Sequence, residues 1–105
     1  MKIEYNKLVR DRIPEIINNE GKLPIIKQVK GKEKLCYLYE KLIEEATELK
    51  EGELVEELAD VQEVLEAIME ELNITPEQMK IAKNKKRKER GGFKKGTVLL
   101  YVEEK

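Results

Sequence analysis

Between residues 33 and 72, two apolar stripes of helical period are separated only by Glu51-Gly52 and its immediate neighbours. From 33 to 50 the apolar positions are Leu35, Leu38, Leu42, Ala46 and Leu49. From about 53 to 72 they are Leu54, Leu58, Val61, Leu65, Ile68 and Leu72. Both sets recur at three- and four-residue intervals, the signature of a helix with one face turned inward. Gly52 is suited to the left-handed conformation that ends a helix. So short a connection leaves the two helices no course but to lie antiparallel as neighbours.

The flanks are shorter and better punctuated. "DRIPEIINN" (11–19) reads as a brief helix with Asp11 as its cap, Pro14 tolerated in the first turn and Gly21 as its stop. "LPIIKQV" (23–29) reads as an extended segment or edge strand, because Pro24 would break a central ladder. "NITPEQMKIAKNKKRKERGG" opens a third long helix, with Thr75 as N-cap, Pro76 at the first position and Gln78 closing a capping box. Gly91-Gly92 ends it, and "TVLLYV" (97–102) reads as a terminal strand able to pair with 25–29. The expected fold is mainly α: an antiparallel helical hairpin plus a third helix, with short extended segments near both termini, in a single domain over 1–105.

The chain has no histidine, which removes imidazole bases and His-based metal sites, and its single cysteine, Cys36, allows no internal disulfide. Cys36 reads as a small core residue in a reducing compartment. No apolar run approaches the roughly eighteen residues of a membrane span, and "MKIEYNKLVRDR" has no secretory core, so a soluble cytoplasmic protein is expected. Net charge is −1, giving no global pull toward nucleic acid or membranes. The charge is nevertheless divided, with residues 40–72 strongly acidic and 80–95 strongly basic.

In "KLIEEATELKEGELVEELADVQ" the acids crowd at helical neighbour positions, each like pair costing a few tenths of a kcal/mol. Across an antiparallel hairpin, Glu48 falls near the level of Glu57, and Glu44 near that of Asp60. Carboxylates on facing helices are how helical bundles build divalent-metal sites. Oxygen donors without His or Cys select a hard cation, Mg²⁺ or Mn²⁺. A solvated acidic face is the plainer reading, with Lys41 placed to pair with Glu44 and Glu45. Against it, Glu45 lies between Leu42 and Leu49, and Glu57 between Leu54 and Val61, so both acids border apolar surface.

The basic stretch "KNKKRKERGGFKKG" suits the negative end of a helix dipole and lacks the interleaved aromatics of a nucleic-acid surface. Lys86 and Arg90 within it, and Lys7, Arg10 and Arg12 in "KLVRDR", are candidates to contact phosphates. "GFKKGT" lacks the lysine and the strand-to-helix order of a Walker loop.

"EEATE" followed by "ELAD" resembles the EExxE…ExxD signature of the MazG-like, all-α nucleoside triphosphate pyrophosphohydrolases. The opening "YNKLVRDRIPEII" and the late "KKRKERGGF" resemble the ends of a small subfamily described as phosphoribosyl-ATP pyrophosphohydrolase-like. The resemblance implies Mg²⁺-dependent cleavage between the α and β phosphates of a nucleoside triphosphate, giving a monophosphate and pyrophosphate. It implies Glu44, Glu48, Glu57 and Asp60 as metal ligands and Glu45 as the residue that orients or deprotonates the attacking water. Only eight residues separate Glu48 from Glu57, and "VQE" follows Asp60 where the histidine-pathway enzymes carry Tyr-His. Those departures weaken phosphoribosyl-ATP as the substrate. Surplus apolar residues such as Ile43, Val55 and Met69 point to a homodimer or homotetramer with a four-helix core, unless the terminal segments cover that face within one chain. The other functional class open to this sequence is a non-catalytic helical module that binds nucleotide or protein.

Overall fold

A computed structural model describes residues 3–52 and 54–104. Four helices account for its regular structure: α1 (Ile13–Asn19), α2 (Gly31–Leu49), α3 (Leu54–Glu71) and α4 (Pro76–Arg90). They fall into two compact units, one ending at Asn73 and the other beginning at Ile74. No helix among the described residues is long and apolar enough to cross a membrane.

In the first unit, α1 begins later than its sequence suggests. Arg12, not Asp11, is the N-cap, with right-handed backbone angles and no side-chain cap bond. A turn closed by Ile13 N–H donating to Arg10 C=O at 3.0 Å displaces the start. Pro14 sits in the first turn as expected. Gly21 takes φ +82, and Lys22 N–H reaches back to Ile17 C=O at 3.3 Å, satisfying a carbonyl that the helix end would otherwise orphan.

α2 and α3 pack against each other and form the body of this unit. Lys34, in the first turn of α2, pairs with Glu71 at the end of α3 at 3.3 Å. Leu38 is 2% exposed, and Val64 is the buried apolar residue of α3. The row that α3 turns inward runs through Glu57, Asp60 and Val64; of the apolar stripe, Val61 and Ile68 are half-buried beside it, while Leu54, Leu58, Leu65 and Leu72 remain exposed. Both rows obey the helical period, so periodicity alone could not choose between them. Ile43 and Val55 are also exposed, as is Cys36, which is not a core residue.

The link between these helices holds a second departure. Gly52 is absent from the left-handed glycines, which are Gly21, Gly31, Gly91 and Gly96. Helix α2 ends instead through Lys50 in right-handed geometry, with Glu51 N–H donating to Glu48 C=O at 3.0 Å. Gly52 instead lies close to the Glu57 side chain.

In the second unit, Thr75 caps α4 in full. Its hydroxyl accepts from Gln78 N–H at 3.1 Å, and the Gln78 side chain accepts from Thr75 N–H at 2.8 Å. Gly91, at φ +83, ends the helix with its N–H on Arg87 C=O at 2.8 Å. Among the described residues there is no strand, so neither 23–29 nor 97–102 forms the expected extended ladder. β-branched and apolar content favours a strand only where a partner supplies hydrogen bonds and a face to pack on. Leu23, Ile25, Val98, Leu100 and Val102 are instead exposed.

Candidate functional site

The packing of α2 on α3 draws acids from both helices into one cluster. Glu45 of α2 and Glu57 and Asp60 of α3 each offer a carboxylate oxygen, all within 4.8 Å of one another. Glu57 and Asp60 are three residues apart and share a face of α3, while Glu45 is brought to them by its position beside Leu38 and Lys41 on the inward face of α2.

Glu45 is only 7% exposed. One of its oxygens, Oε1, lies 3.3 Å from Lys41 Nζ. The other, Oε2, is buried with no hydrogen-bond partner, and so is Glu57 Oε2. A buried acceptor left unsatisfied costs about 1–3 kcal/mol, and more when it is charged. Burial pushes the Glu45 carboxyl above its ordinary value, opposed by Lys41 and reinforced by the negative charges of Glu48 and Asp60.

Glu57 owes its position to Gly52. A Cβ built at residue 52 would stand 2.6 Å from Glu57 Oε1, 2.8 Å from its Cγ and 3.0 Å from its Cδ. The Glu57 side chain occupies the space that any other residue at 52 would fill.

Cations surround the cluster. Lys7 Nζ donates to Glu44 Oε1 at 2.8 Å, and Lys41 Nζ donates to Glu44 Oε2 at 3.2 Å. The hydrogen bond from Lys7 is the main reason the Glu44 carboxyl is held below its ordinary range, and the same bond raises Lys7. Arg10 Nη2 donates to Asp60 Oδ1 at 2.8 Å. Residues 8–12, Leu38, Lys41, Glu45, Asp60 and Val64 are among the groups that line a cleft of 480 Å³.

The expected site residues are thus distributed unevenly. Glu45, Glu57 and Asp60 come together, whereas Glu44 is engaged by two lysines and Glu48 is exposed on α2, near enough for its charge to act on Glu45 and Lys7. Of the candidate phosphate contacts, Arg10 lies directly on the cluster, and Lys7 reaches it through Glu44. Arg12 lines the cleft while pairing with Glu15 at 3.4 Å. Lys86, in the second unit, shares a 240 Å³ depression with Lys83, Arg87, Gly91, Gly92 and Phe93; Arg90 is exposed on the last turn of α4. Sequence reasoning missed Gly52 as the residue that makes room for Glu57, and missed the seating of residues 8–12 against α2 and α3. Neither leaves a periodic trace.

Searches of protein-family models, curated proteins and solved structures return no match to this chain.

Proposed function

We propose that this chain is a Mg²⁺-dependent nucleoside triphosphate pyrophosphohydrolase of the MazG-like type, cleaving the α–β phosphate bond to release a nucleoside monophosphate and pyrophosphate. The observation that carries the reading is the pair of buried, partnerless oxygens, Glu45 Oε2 and Glu57 Oε2, within a three-carboxylate cluster. A protein has no stability reason to keep such a group, and a hard divalent cation is the partner that all-oxygen donors suit. The resemblance of "EEATE" and "ELAD" to the family signature supports the same assignment.

Glu57 and Asp60 would hold the cation, joined by Glu44 and Glu48 as the resemblance implies. When bound, Mg²⁺ would act as a Lewis acid on the phosphate oxygens. Glu45 is suited to a different task. Its burial raises its proton affinity toward the range where a carboxylate accepts a proton from an attacking water. Lys41 fixes one Glu45 oxygen, leaving the other buried without a partner. Arg10 and Arg12, which line the cleft, and Lys7 on the same segment would supply positive charge to balance what develops on the departing pyrophosphate.

The contacts of Lys34 with Glu71, and of Glu45 with Glu57 and Asp60, support an antiparallel hairpin of α2 and α3. The exposed row Leu54, Leu58, Leu65 and Leu72 supports a homo-oligomer in which another copy of the chain completes a four-helix core.

Pyrophosphate release from a panel of ordinary and damaged nucleoside triphosphates, with and without Mg²⁺, tests the reading. At least one substrate should be cleaved only with the metal, and Asp60→Asn should abolish cleavage without unfolding the protein. Binding without cleavage across the panel would make the chain a nucleotide-binding module instead.

A further inference from the structure

The segment that precedes α1 bears on how the carboxylate site is controlled, an inference that rests on the metal-binding reading above. Residues 3–10 have no helical or strand structure, and Asn6 turns the chain at φ +45. The arm nevertheless reaches the acidic cluster through Arg10, which takes Asp60 at 2.8 Å, while Lys7 takes Glu44, the neighbour of Glu45 in the chain, at 2.8 Å. Lys7 also sits 5.8 Å from the Tyr5 ring centroid, which holds the two residues of the arm together.

Little apolar burial holds the arm down. Leu8 is half-buried, but Ile3, Tyr5 and Val9 are exposed. The Arg10 and Asp60 side chains are 57% and 37% exposed, a setting in which ion pairs contribute little. The acids beneath are less at ease. Glu45 and Glu57 each keep a buried oxygen without a partner, and neither Lys7 nor Arg10 satisfies it.

We infer that residues 5–12 form a displaceable strap: Lys7 and Arg10 compete with a divalent cation for Glu44 and Asp60, and entry of the cation releases them to bind an anionic ligand in the same cleft. A divalent ion concentrates two charges at one point that can reach the oxygens the strap leaves unsatisfied, so the exchange favours the metal. The freed guanidinium and ammonium groups then face the cleft that residues 8–12 already line. Cation and anion binding become mutually reinforcing, because coupling between two ligands is reciprocal.

Calorimetric titration with Mn²⁺ alone, at fixed ionic strength, tests the strap. Arg10→Gln and Lys7→Gln should each bind Mn²⁺ about two- to five-fold more tightly than the wild type, the range expected for loss of one exposed competing pair. Lys22→Gln removes the same charge from an exposed site away from the cluster and should leave the affinity unchanged. In the wild type, tryptic cleavage after Lys7 should accelerate several-fold with saturating Mn²⁺, relative to cleavage after Lys94 in the second unit. Unchanged or weaker affinity in both arm variants, or cleavage after Lys7 no faster with Mn²⁺, would overturn the strap and leave the carboxylate site standing. Binding seen in the arm variants but not in the wild type would support it in its strongest form. Absence of Mn²⁺ binding in every protein would remove the carboxylate reading, and the strap with it.

Discussion

Gly52→Ala is the substitution that most sharply separates function from stability in this chain. Its added Cβ would stand 2.6 Å from Glu57 Oε1, 2.8 Å from its Cγ and 3.0 Å from its Cδ, and all three atoms belong to one flexible side chain, which must take a different rotamer from its Cβ outward. The backbone therefore need not move; the Glu57 carboxylate swings away and leaves Glu45 and Asp60. Since Gly52 does not occupy the left-handed region, alanine there meets no backbone penalty. It should even stabilise the fold by about 0.4–1 kcal/mol through reduced freedom of the unfolded chain. Divalent-cation affinity should move the other way. Disturbing the support of a metal ligand typically lowers affinity by about 10–100-fold, and Glu57→Gln should fall at least as far. Thermal unfolding without added metal and titration with Mn²⁺ read the two effects separately. Unchanged affinity, or a loss of affinity that merely tracks a loss of stability, would show that Glu57 has no role in binding a cation.

Glu45→Gln should stabilise the metal-free protein by about 0.5–2 kcal/mol, as removal of a charge kept for function commonly does, while abolishing turnover. The pH dependence should change with it. The folded Glu45 carboxyl lies above its unfolded value, so the folded state binds more protons and wild-type stability falls as pH rises from 4.5 through the raised value. Glu44, held low by Lys7, acts oppositely: its contribution is present above pH 4.5 and is lost as pH falls through its depressed value. Urea unfolding across this range should show the decline above pH 4.5 in the wild type and a flatter profile in Glu45→Gln. On the exposed face of α3, Leu58→Lys combined with Leu65→Lys should shift the protein to monomer in sedimentation experiments, with little change in helix content; a wild type that is itself monomeric would contradict the four-helix core.

Helices α2 and α3 were legible because their stripes repeat over several turns, and α4 because Thr75, Pro76, Gln78 and Gly91 each have one obvious role. The inward face of α3 was not legible. Its leucine row and its Glu57–Asp60–Val64 row both fit a helix; only the apolar neighbours of Glu57 pointed to the acidic row, and periodicity did not choose it. No strand forms at 97–102, nor does the edge-strand alternative at 23–29, because apolar, β-branched composition reports a willingness to pair and not the presence of a partner. Acid spacing singled out carboxylates on both helices, but rotation about each axis made Glu45 the buried member and left Glu48 exposed. The approach of Gly52 to Glu57 depends on one side-chain rotamer at a helix start, which no pattern of residue types encodes.

Anomalous diffraction from crystals grown with Mn²⁺ is the measurement that meets the central claim head on. The account predicts a manganese peak within coordination distance of Glu57 and Asp60, adjoining the buried Glu45 carboxylate, with Arg10 withdrawn from Asp60. Clear density for all three side chains with no manganese between them, at a concentration that saturates any measured binding, would contradict it.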